Sequence, residues 1–392
     1  MSKWEKVRLG DVVKISSGGT PSKNNPEYYK NGTIPWVRTG DLKEKYIFDV
    51  ETRITEKALR ETSVKLFPSG TVLIAMYGAT IGACSILAIE AATNQACAAM
   101  LPNNKVDCSY LYYFLRSKKN DLIKMSVGGA QPNISAKILK DIKLTLPPLE
   151  TQKQIAKTLD TASELLALRK QQFAELDQLI KSVFYDMFGD PVVNDKGWSV
   201  SRLKEITTKI GSGATPRGGK ESYQNEGISL IRSMNVHNGF FKYDQLAHIS
   251  EEQAEQLNNV IVEPGDVLIN ITGASVARSC IVPNDVLPAR VNQHVSIVRI
   301  KEGCATPEYI NNAFTIQSFQ NQLLFIAGTG GATREAITKQ QLEELLIPLP
   351  PMHLQVKFSK MYTKIEQQKA LVRKAINETQ TLFDSLMNQY FD

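Results

Sequence analysis

Apolar residues recur at steps of four and three in two long stretches of the 392-residue chain. In the first stretch this spacing predicts a helix over residues 151–188, about 55 Å long at 1.5 Å per residue. Nine of its ten stripe positions are apolar: Ile155, Leu159, Ala162, Leu166, Arg169, Phe173, Leu176, Ile180, Val183 and Met187. So narrow a stripe is typical of a coiled-coil seam.

Proline and glycine mark both ends of this helix. The pair Pro147-Pro148 closes the preceding segment, because proline cannot donate a backbone hydrogen bond. Thr151 is then predicted to be the N-cap, with Gln154 completing a capping box. At the other end, Gly189 is predicted to be the C-cap, and Pro191 prevents the helix from continuing.

The same beginning and the same spacing return near the end of the chain, at a constant offset of 203 residues. Eight of the ten stripe positions are apolar: Phe358, Tyr362, Ile365, Lys369, Val372, Ile376, Thr379, Phe383, Leu386 and Tyr390. Because neither helix can bury its stripe alone, we predict that the two helices pair antiparallel. The cations Arg169 and Lys369 are expected where the seam opens to water or meets a partner.

The segments that precede the two helices are also copies of each other. Their matching motifs are Trp4 and Trp198, Ser17-Gly18-Gly19-Thr20-Pro21 and Ser212-Gly213-Ala214-Thr215-Pro216, Arg38-Thr39-Gly40-Asp41 and Arg232-Ser233-Met234-Asn235, Gly78-Ala79-Thr80 and Gly273-Ala274-Ser275, Asn94-Gln95 and Asn292-Gln293, and Gly128-Gly129-Ala130 and Gly330-Gly331-Ala332. Short β-branched runs predict strands, for example over 71–76, 142–146 and 267–271. Helices are predicted over 108–125 and 307–326.

The chain is therefore predicted to be a mixed α/β (α+β) protein with a pseudo-twofold internal repeat. We predict two similar globular modules, separated by two long antiparallel coiled-coil helices. The predicted boundaries are 1–150 for the first module, 151–190 for its helix, 191–350 for the second module and 351–392 for the last helix.

One uncharged stretch, Leu66–Ile89, has the length of a membrane span. Pro68 and several glycines interrupt it, and its copy at Val262–Pro288 contains charged residues. We therefore predict two buried strands joined by a turn at Tyr77–Thr80 in place of a transmembrane helix.

Composition places the chain among ordinary globular proteins, with 42% hydrophobic and 22% charged residues. Five cysteines without a CxxC spacing argue against a disulfide framework or a zinc site, and the first residues lack an apolar signal segment. A cytoplasmic protein is expected.

The net charge of +6 is distributed unevenly, since residues 1–150 carry 21 basic and 14 acidic side chains whereas residues 196–351 carry 14 basic and 15 acidic ones. Charge alone indicates a polyanionic partner only weakly.

No motif predicts catalysis or a bound cofactor. Asn25-Pro26-Glu27-Tyr28 resembles the Asn-Pro-Pro-Tyr motif of amino-methyltransferases, but no glycine-rich cofactor loop precedes it, so a turn is predicted. The glycines near Gly211 and Gly219 lack the spacing of a dinucleotide-binding loop or a Walker motif. The four histidines form no metal-binding pair. We therefore predict no catalytic residue, no cofactor and no metal.

The loops, in contrast, are rich in side chains that read base edges or hold phosphates. Arginine can hydrogen-bond to guanine, and the side-chain amides of Asn and Gln can hydrogen-bond to adenine. Residues in glycine-rich loops can approach the phosphate backbone of DNA closely. The candidate DNA-binding residues are Thr20, Ser22, Lys23, Arg38, Thr39, Asp41, Tyr77, Thr80, Asn94, Gln95, Gln131 and Asn133 in the first module, and Thr215, Arg217, Lys220, Arg232, Ser233, Asn235, Thr272, Ser275, Asn292, Gln293, His294, Thr333 and Arg334 in the second. Any one of them could equally be solvated or cap a turn, but their recurrence in both modules favours a shared role.

These motifs, in this order and over essentially the whole chain, resemble the specificity subunit of type I restriction–modification systems. The resemblance is carried by Ser17-Gly18-Gly19-Thr20-Pro21, Ile34-Pro35-Trp36-Val37-Arg38-Thr39-Gly40-Asp41-Leu42, Tyr77-Gly78-Ala79-Thr80-Ile81-Gly82 and Leu146-Pro147-Pro148-Leu149-Glu150-Thr151-Gln152. The second half departs from the pattern, since 228–232 lacks the Pro-Trp pair. This divergence fits an asymmetric target.

The resemblance implies a non-catalytic subunit whose two target recognition domains each read one half of a bipartite site on double-stranded DNA. It also implies that the paired helices set the spacer and bind two methyltransferase (modification) subunits, which restriction subunits join. Two alternatives stay open: a stand-alone DNA adenine methyltransferase, and a coiled-coil adaptor that does not bind DNA. Binding of S-adenosylmethionine would indicate the first, and absence of any sequence preference the second.

Overall fold

The computed structural model describes residues 4–126, 133–216, 218–328 and 335–391. The chain divides into two compact units. The first unit contains Met1–Lys170 together with Lys374–Asp392, and the second contains Gln171–Arg373. The end of the chain thus belongs to the same unit as its beginning. The boundaries predicted at 150, 190 and 350 stay a prediction.

The first unit is built on short strands: β1 (Glu5–Arg8), β2 (Ile15–Ser17), β3 (Ile34–Val37), β4 (Tyr46–Ile47), β5 (Arg53–Ile54), β6 (Leu66–Phe67), β7 (Val72–Ala75), β8 (Cys84–Leu87), β9 (Ala91–Thr93), β10 (Cys97–Met100) and β11 (Lys143–Leu146). They form one sheet in the order β2-β10-β7-β8-β4, a second in the order β5-β3-β9-β6, and the pair β1-β11. The helices are α1 (Leu9–Val12), α2 (Glu56–Glu61), α3 (Cys108–Ser117), α4 (Lys119–Lys124), α5 (Ala136–Asp141) and the first part of α6 (Leu149–Phe188).

The second unit contains β12 (Ser199–Arg202), β13 (Thr207–Ser212), β14 (Ile228–Ile231), β15 (Val236–His237), β16 (Phe240–Phe241), β17 (Ala247–Ile249), β18 (Ile261–Val262), β19 (Val267–Asn270), β20 (Ser279–Ile281), β21 (Ala289–Val291), β22 (Val295–Ile300) and β23 (Leu346–Leu349). Its sheets are β13-β22-β19-β20, β17-β14-β21-β18 and β12-β23. They repeat the strand orders of the first unit, except that the first of them has no strand in the place of β4 and that the pair β15-β16 is added. Its helices are α7 (Glu251–Glu255), α8 (Pro307–Thr315), α9 (Gln317–Gly328), α10 (Lys339–Glu343) and part of α11 (Met352–Phe391). The predicted mixed α/β class is confirmed.

The uncharged stretch Leu66–Ile89 contains two buried strands, as predicted. β7 and β8 pair antiparallel with Leu73 opposite Ser85, and every residue of both strands is buried. Within the described ranges, no helix is both long and apolar enough to cross a membrane.

Both long helices are 40 residues, or about 60 Å, in length. Contrary to the prediction, α6 begins at Leu149, so that Thr151 lies inside the first turn and is not the N-cap. The fully buried side chain of Gln152 stabilises this end: its amide donates to Pro147 O at 2.9 Å and accepts from the Asp107 amide at 2.9 Å. Gln355 makes the same two contacts at the start of α11. At the other end, Gly189 adopts φ +75°, which confirms the predicted C-cap.

The long helices pack against each other antiparallel within each unit. In the first unit, Ile155 and Leu159 of α6 share a core with Phe383 and Phe391 of α11. In the second unit the opposite ends meet, since Phe184 of α6 lies beside Phe358 of α11 with ring centroids 5.6 Å apart. The predicted pairing is confirmed.

The seam does not open to water at its cations. Lys369 is only 6% exposed, and its ammonium lies 2.6 Å from Asp177 Oδ1 on the opposite helix. Arg169 donates to the Ala375 carbonyl at 2.5 Å and to the Thr379 hydroxyl. The expectation that the seam opens to water at these cations is therefore wrong, because oxygen atoms on the opposite helix bind both of them. Contact with a partner at this place stays a prediction.

Candidate nucleic-acid interface

In each unit, the carboxyl ends of two neighbouring parallel strands meet at one edge of a sheet. β3 runs parallel to β9 with Val37 opposite Thr93, and β14 runs parallel to β21 with Ile231 opposite Val291. The residues that follow these strands are the predicted site residues Arg38 and Asn94 in the first unit, and Arg232 and Asn292 in the second. The Asn94 amide donates to Val37 O at 2.9 Å, and the Asn292 amide donates to Ile231 O at 3.0 Å. The structure therefore brings the predicted Arg and Asn-Gln motifs together in both copies.

The glycine-rich loops pack directly against these strand ends. Gly19 donates to Thr93 O at 2.9 Å, and the Trp36 indole donates to Gly19 O at 3.1 Å. A Cβ atom at Gly18 would lie 2.1 Å from Thr93 O, and one at Gly213 would lie 1.7 Å from Val291 O. Only glycine fits at these two positions.

The loops carry exposed polar residues away from this close contact. Thr20, Ser22 and Lys23 are all exposed, and the Ser22 hydroxyl accepts from the Asn24 amide. In the second unit, the Thr215 hydroxyl donates to the Gln293 side chain. Each loop therefore adds polar groups next to the Asn-Gln motif.

A third segment joins the site through the turn that follows the central strand. In the first unit the turn bearing Tyr77 and Thr80 forms a backbone bridge to Asn133. In the second unit Thr272 forms a corresponding bridge to Ala336, and its hydroxyl lies 2.6 Å from His294 Nδ1. Polar side chains thus converge from segments that are distant in sequence.

The second unit encloses a cleft at this place, with a volume of about 580 Å³. It brings together four of the predicted residues, Ser233, Thr272, Ser275 and His294. Arg278 also lines it, although the sequence analysis did not assign that residue to the site. An arginine inside an otherwise apolar strand–turn–strand stretch was the signal that could have indicated it.

The two matching arginines differ in their surroundings. The side chain of Arg38 is 49% exposed, and its Nε lies 3.7 Å from Asp41 Oδ2, which also accepts from the Arg38 amide. Arg232 instead lies over the Tyr223 ring at 5.2 Å and donates to the Gln245 carbonyl. Arg38 is therefore the more accessible of the two. Thr39 lies half-buried in the turn between Arg38 and Asp41.

Two of the predicted residues are buried and form hydrogen bonds within the protein. Asn235 is fully buried, accepts from the Arg232 amide at 3.1 Å and donates to Lys242 O at 2.9 Å. Asn292 is 7% exposed and accepts from the His294 amide at 3.1 Å. We correct the prediction for these two residues, since their side chains shape turns and face the interior. The neighbouring Gln95 and Gln293 are exposed.

The remaining predicted residues lie outside the described part of the chain. These are Gln131, Arg217, Thr333 and Arg334, together with the side chain of Lys220.

Within the described ranges, no cluster of three His, Cys, Asp or Glu side chains could hold a metal ion. Burial raises the pKa of the Cys84, Cys97 and Cys280 thiols to about 12, so none of these three supplies a thiolate at neutral pH.

A duplicated α/β module, with the same polar loops gathered at the same strand ends in both copies and followed by a long helix, defines a two-module recognition protein. The chain belongs to the family of type I restriction–modification DNA specificity domains, whose family model matches residues 1–178 and again 195–380. The family inferred from the motifs is confirmed.

Similar proteins extend over different shares of the chain. The MjaIX type I restriction enzyme specificity subunit of Methanocaldococcus jannaschii is 30% identical over 60% of this chain, a match that spans 59% of that relative. The MjaVIII specificity subunit of the same organism is 22% identical over 98% of this chain and 91% of its own length. The crystal structure of the S subunit of a type I restriction–modification system from M. genitalium covers 100% of this chain and 96% of its own, with a TM-score of 0.63 and 15% identity. This likeness shows the fold.

Proposed function

We propose that this chain reads a bipartite, asymmetric DNA sequence as the specificity subunit of a type I restriction–modification complex. The recognition modules are residues 1–150 and 191–350, and the helices 151–190 and 351–392 set the spacer. The observation that carries the proposal is the recurrence of one polar site at the same strand ends of both units. Sequence is read by hydrogen bonds and apolar contacts to base edges, and both units gather polar side chains from several loops at one place.

The differences between the two sites support an asymmetric target. Arg38 offers a half-exposed guanidinium, which suits guanine O6 and N7. In the second unit, Arg232 is engaged by Tyr223 and Gln245, and the cleft presents Arg278 and His294 in its place. Different donors and acceptors select different bases, so the two halves of the target differ.

The long helices provide a surface for the methyltransferase subunits. Leucines lie exposed on both helices, away from the buried seam, with exposed fractions of 40–61%: Leu165, Leu168 and Leu179 on α6, and Leu371 and Leu382 on α11. A partner that covers such side chains removes apolar surface from water, which stabilises the complex. We propose that two methyltransferase subunits bind these leucines, that restriction subunits join the same assembly, and that the chain itself is not catalytic. The complex acts on DNA in the cytoplasm.

Replacement of Arg38 by alanine tests the reading role. If its guanidinium contacts a base, specific DNA binding should weaken by about 1–3 kcal/mol, or roughly 5- to 150-fold. The measurement is sequencing of methylated sites in cells that contain the partner subunits, together with affinity for the site found. Lys153→Ala is a matched control, because Lys153 is an exposed cation on α6 that pairs with Glu150. Unchanged affinity and an unchanged methylated sequence in Arg38→Ala would remove this residue from the interface.

The same assays separate the alternatives. A stand-alone adenine methyltransferase would bind radiolabelled S-adenosylmethionine without partner subunits, whereas we expect no binding. A coiled-coil adaptor without DNA contact would enrich no sequence from a random-site selection.

A further inference from the structure

The two long helices differ in polarity at three seam positions and in charge at one position beside the seam. At the constant offset of 203, Leu166 corresponds to Lys369, Arg169 to Val372, Leu176 to Thr379 and Asp177 to Gln380. Each helix thus carries one cation in its seam. In addition, α11 has the hydroxyl of Thr379, and α6 has the carboxylate of Asp177 where α11 has the neutral Gln380. The remaining seam positions are mostly apolar in both helices.

Within the chain, each seam cation faces an oxygen on the opposite helix. The ammonium of Lys369 lies 2.6 Å from Asp177 Oδ1 and 2.6 Å from Glu366 Oε1 of its own helix. It also lies 5.5 Å from the centre of the Phe173 ring. A cation that is only 6% exposed requires such partners, because burial of an unpaired charge is costly.

Arg169 makes the corresponding contact in the first unit. Its guanidinium donates to the Ala375 carbonyl at 2.5 Å and to the hydroxyl of Thr379, a residue only 3% exposed. The Thr379 hydroxyl in turn donates to the same carbonyl at 2.7 Å. Arg169 therefore depends on a hydroxyl that α11 carries and α6 does not.

Because the helices are copies, a helix from a second chain could pair in the same register. In a pair of two α6 helices, Arg169 would face Leu176, and Asp177 would face Leu166. In a pair of two α11 helices, Lys369 would face the neutral Gln380, and Thr379 would face Val372. Only the pairing of α6 with α11 places a carboxylate across the seam from Lys369 and a hydroxyl across the seam from Arg169.

We propose that Lys369–Asp177 and Arg169–Thr379 select the pairing of α6 with α11 in one chain and reject pairing between like helices of two chains. Polar residues in a coiled-coil seam are known to specify partner and register at some cost in stability. These two contacts determine which helices pair, and they do so whether or not the chain reads DNA.

The test replaces each cation by the residue that its counterpart carries. The full-length variant Arg169→Val/Lys369→Leu has no cation in either seam, and it leaves Asp177 partly exposed to water. Removal of Lys369 leaves Asp177 without its partner, but the side chain of Asp177 is 45% exposed and stays hydrated, so we expect the melting temperature to change little. Chains labelled with donor or acceptor dyes are mixed, and exchange and dimer content are followed by energy transfer and light scattering.

We expect the dimer fraction of the double variant to rise at least about tenfold over the wild type, which corresponds to about 1.4 kcal/mol of lost discrimination. Lys374→Met is the control, since Lys374 is an exposed cation of α11 that pairs within its own helix. A double variant as monomeric as the wild type would overturn the proposal, whatever its melting temperature.

A charge-swapped pair keeps the test decisive if the double variant does not fold. Asp177→Lys alone places two cations together and should raise dimer content or aggregation. Asp177→Lys/Lys369→Asp restores an oppositely charged pair and should return the chain to the monomer. Failure of the swap to restore the monomer would also overturn the proposal.

Discussion

The last turns of the chain complete the core of the first unit, and replacement of Phe391 by alanine tests this. Phe391 is 6% exposed, and its ring lies 5.2 Å from that of Tyr110 and 6.2 Å from that of Phe114, both on α3. Truncation of a buried Phe to alanine costs about 3–5 kcal/mol, as lost transfer free energy plus a cavity. Because Phe391 ends its helix, where the structure can relax, we expect about 3 kcal/mol.

Denaturant unfolding and amide hydrogen exchange measure this effect. The free energy of unfolding of the first unit should fall by that amount, and amides of α3 should lose protection while those of α8 keep theirs. Leu382→Ala is the control on the same helix, since Leu382 is 53% exposed. Its cost should stay within about 0.5 kcal/mol. The packing role is refuted if Phe391→Ala destabilises no more than Leu382→Ala, or if α8 is affected equally.

Two further predictions concern close packing and buried thiols. Gly213→Ala would press a Cβ atom against Val291 O at 1.7 Å, so we expect a loss of about 1–3 kcal/mol in thermal unfolding, whereas Gly211→Ala, which meets open space, should be tolerated apart from a small β-propensity effect. Equal effects of the two substitutions would contradict the steric explanation. Three buried thiols, those of Cys84, Cys97 and Cys280, should also resist iodoacetamide at pH 8 in the folded protein. Their pKa is raised from 9.0 to about 12, which leaves about a thousandth of the usual thiolate, and this resistance should persist until the pH approaches 12. Rapid modification of the native protein at these thiols, detected by mass spectrometry, would refute the prediction.

The long helices and the repeat were predictable because they depend on local chain properties. A step of four and three residues is visible in any stretch long enough to contain several turns. The helix start was predicted two residues late, since it depends on the Gln152 side chain reaching back to Pro147 O and across to the Asp107 amide, 45 residues away. Contacts at that separation leave no periodic signal.

In the candidate site, too, local sequence predicts one property and contacts between distant segments decide another. The equivalence of Arg38 and Arg232 was predictable from the sequence, because the motifs around them match. Tertiary structure alone decided that Arg38 stays half-exposed while Arg232 is engaged by Tyr223 and Gln245. Accessibility depends on which side chains other segments bring near, and spacing along the chain does not contain that information.

The seam cations are the clearest case. Arg169 and Lys369 visibly interrupt two apolar stripes, and that pattern predicts that the seam opens to water or meets a partner there. Only the antiparallel pairing placed Asp177 and Thr379 opposite them, which allows Lys369 to be buried and Arg169 to be half-buried. A charge can be buried where a partner removes the cost of its desolvation, and the fold decides where that partner lies.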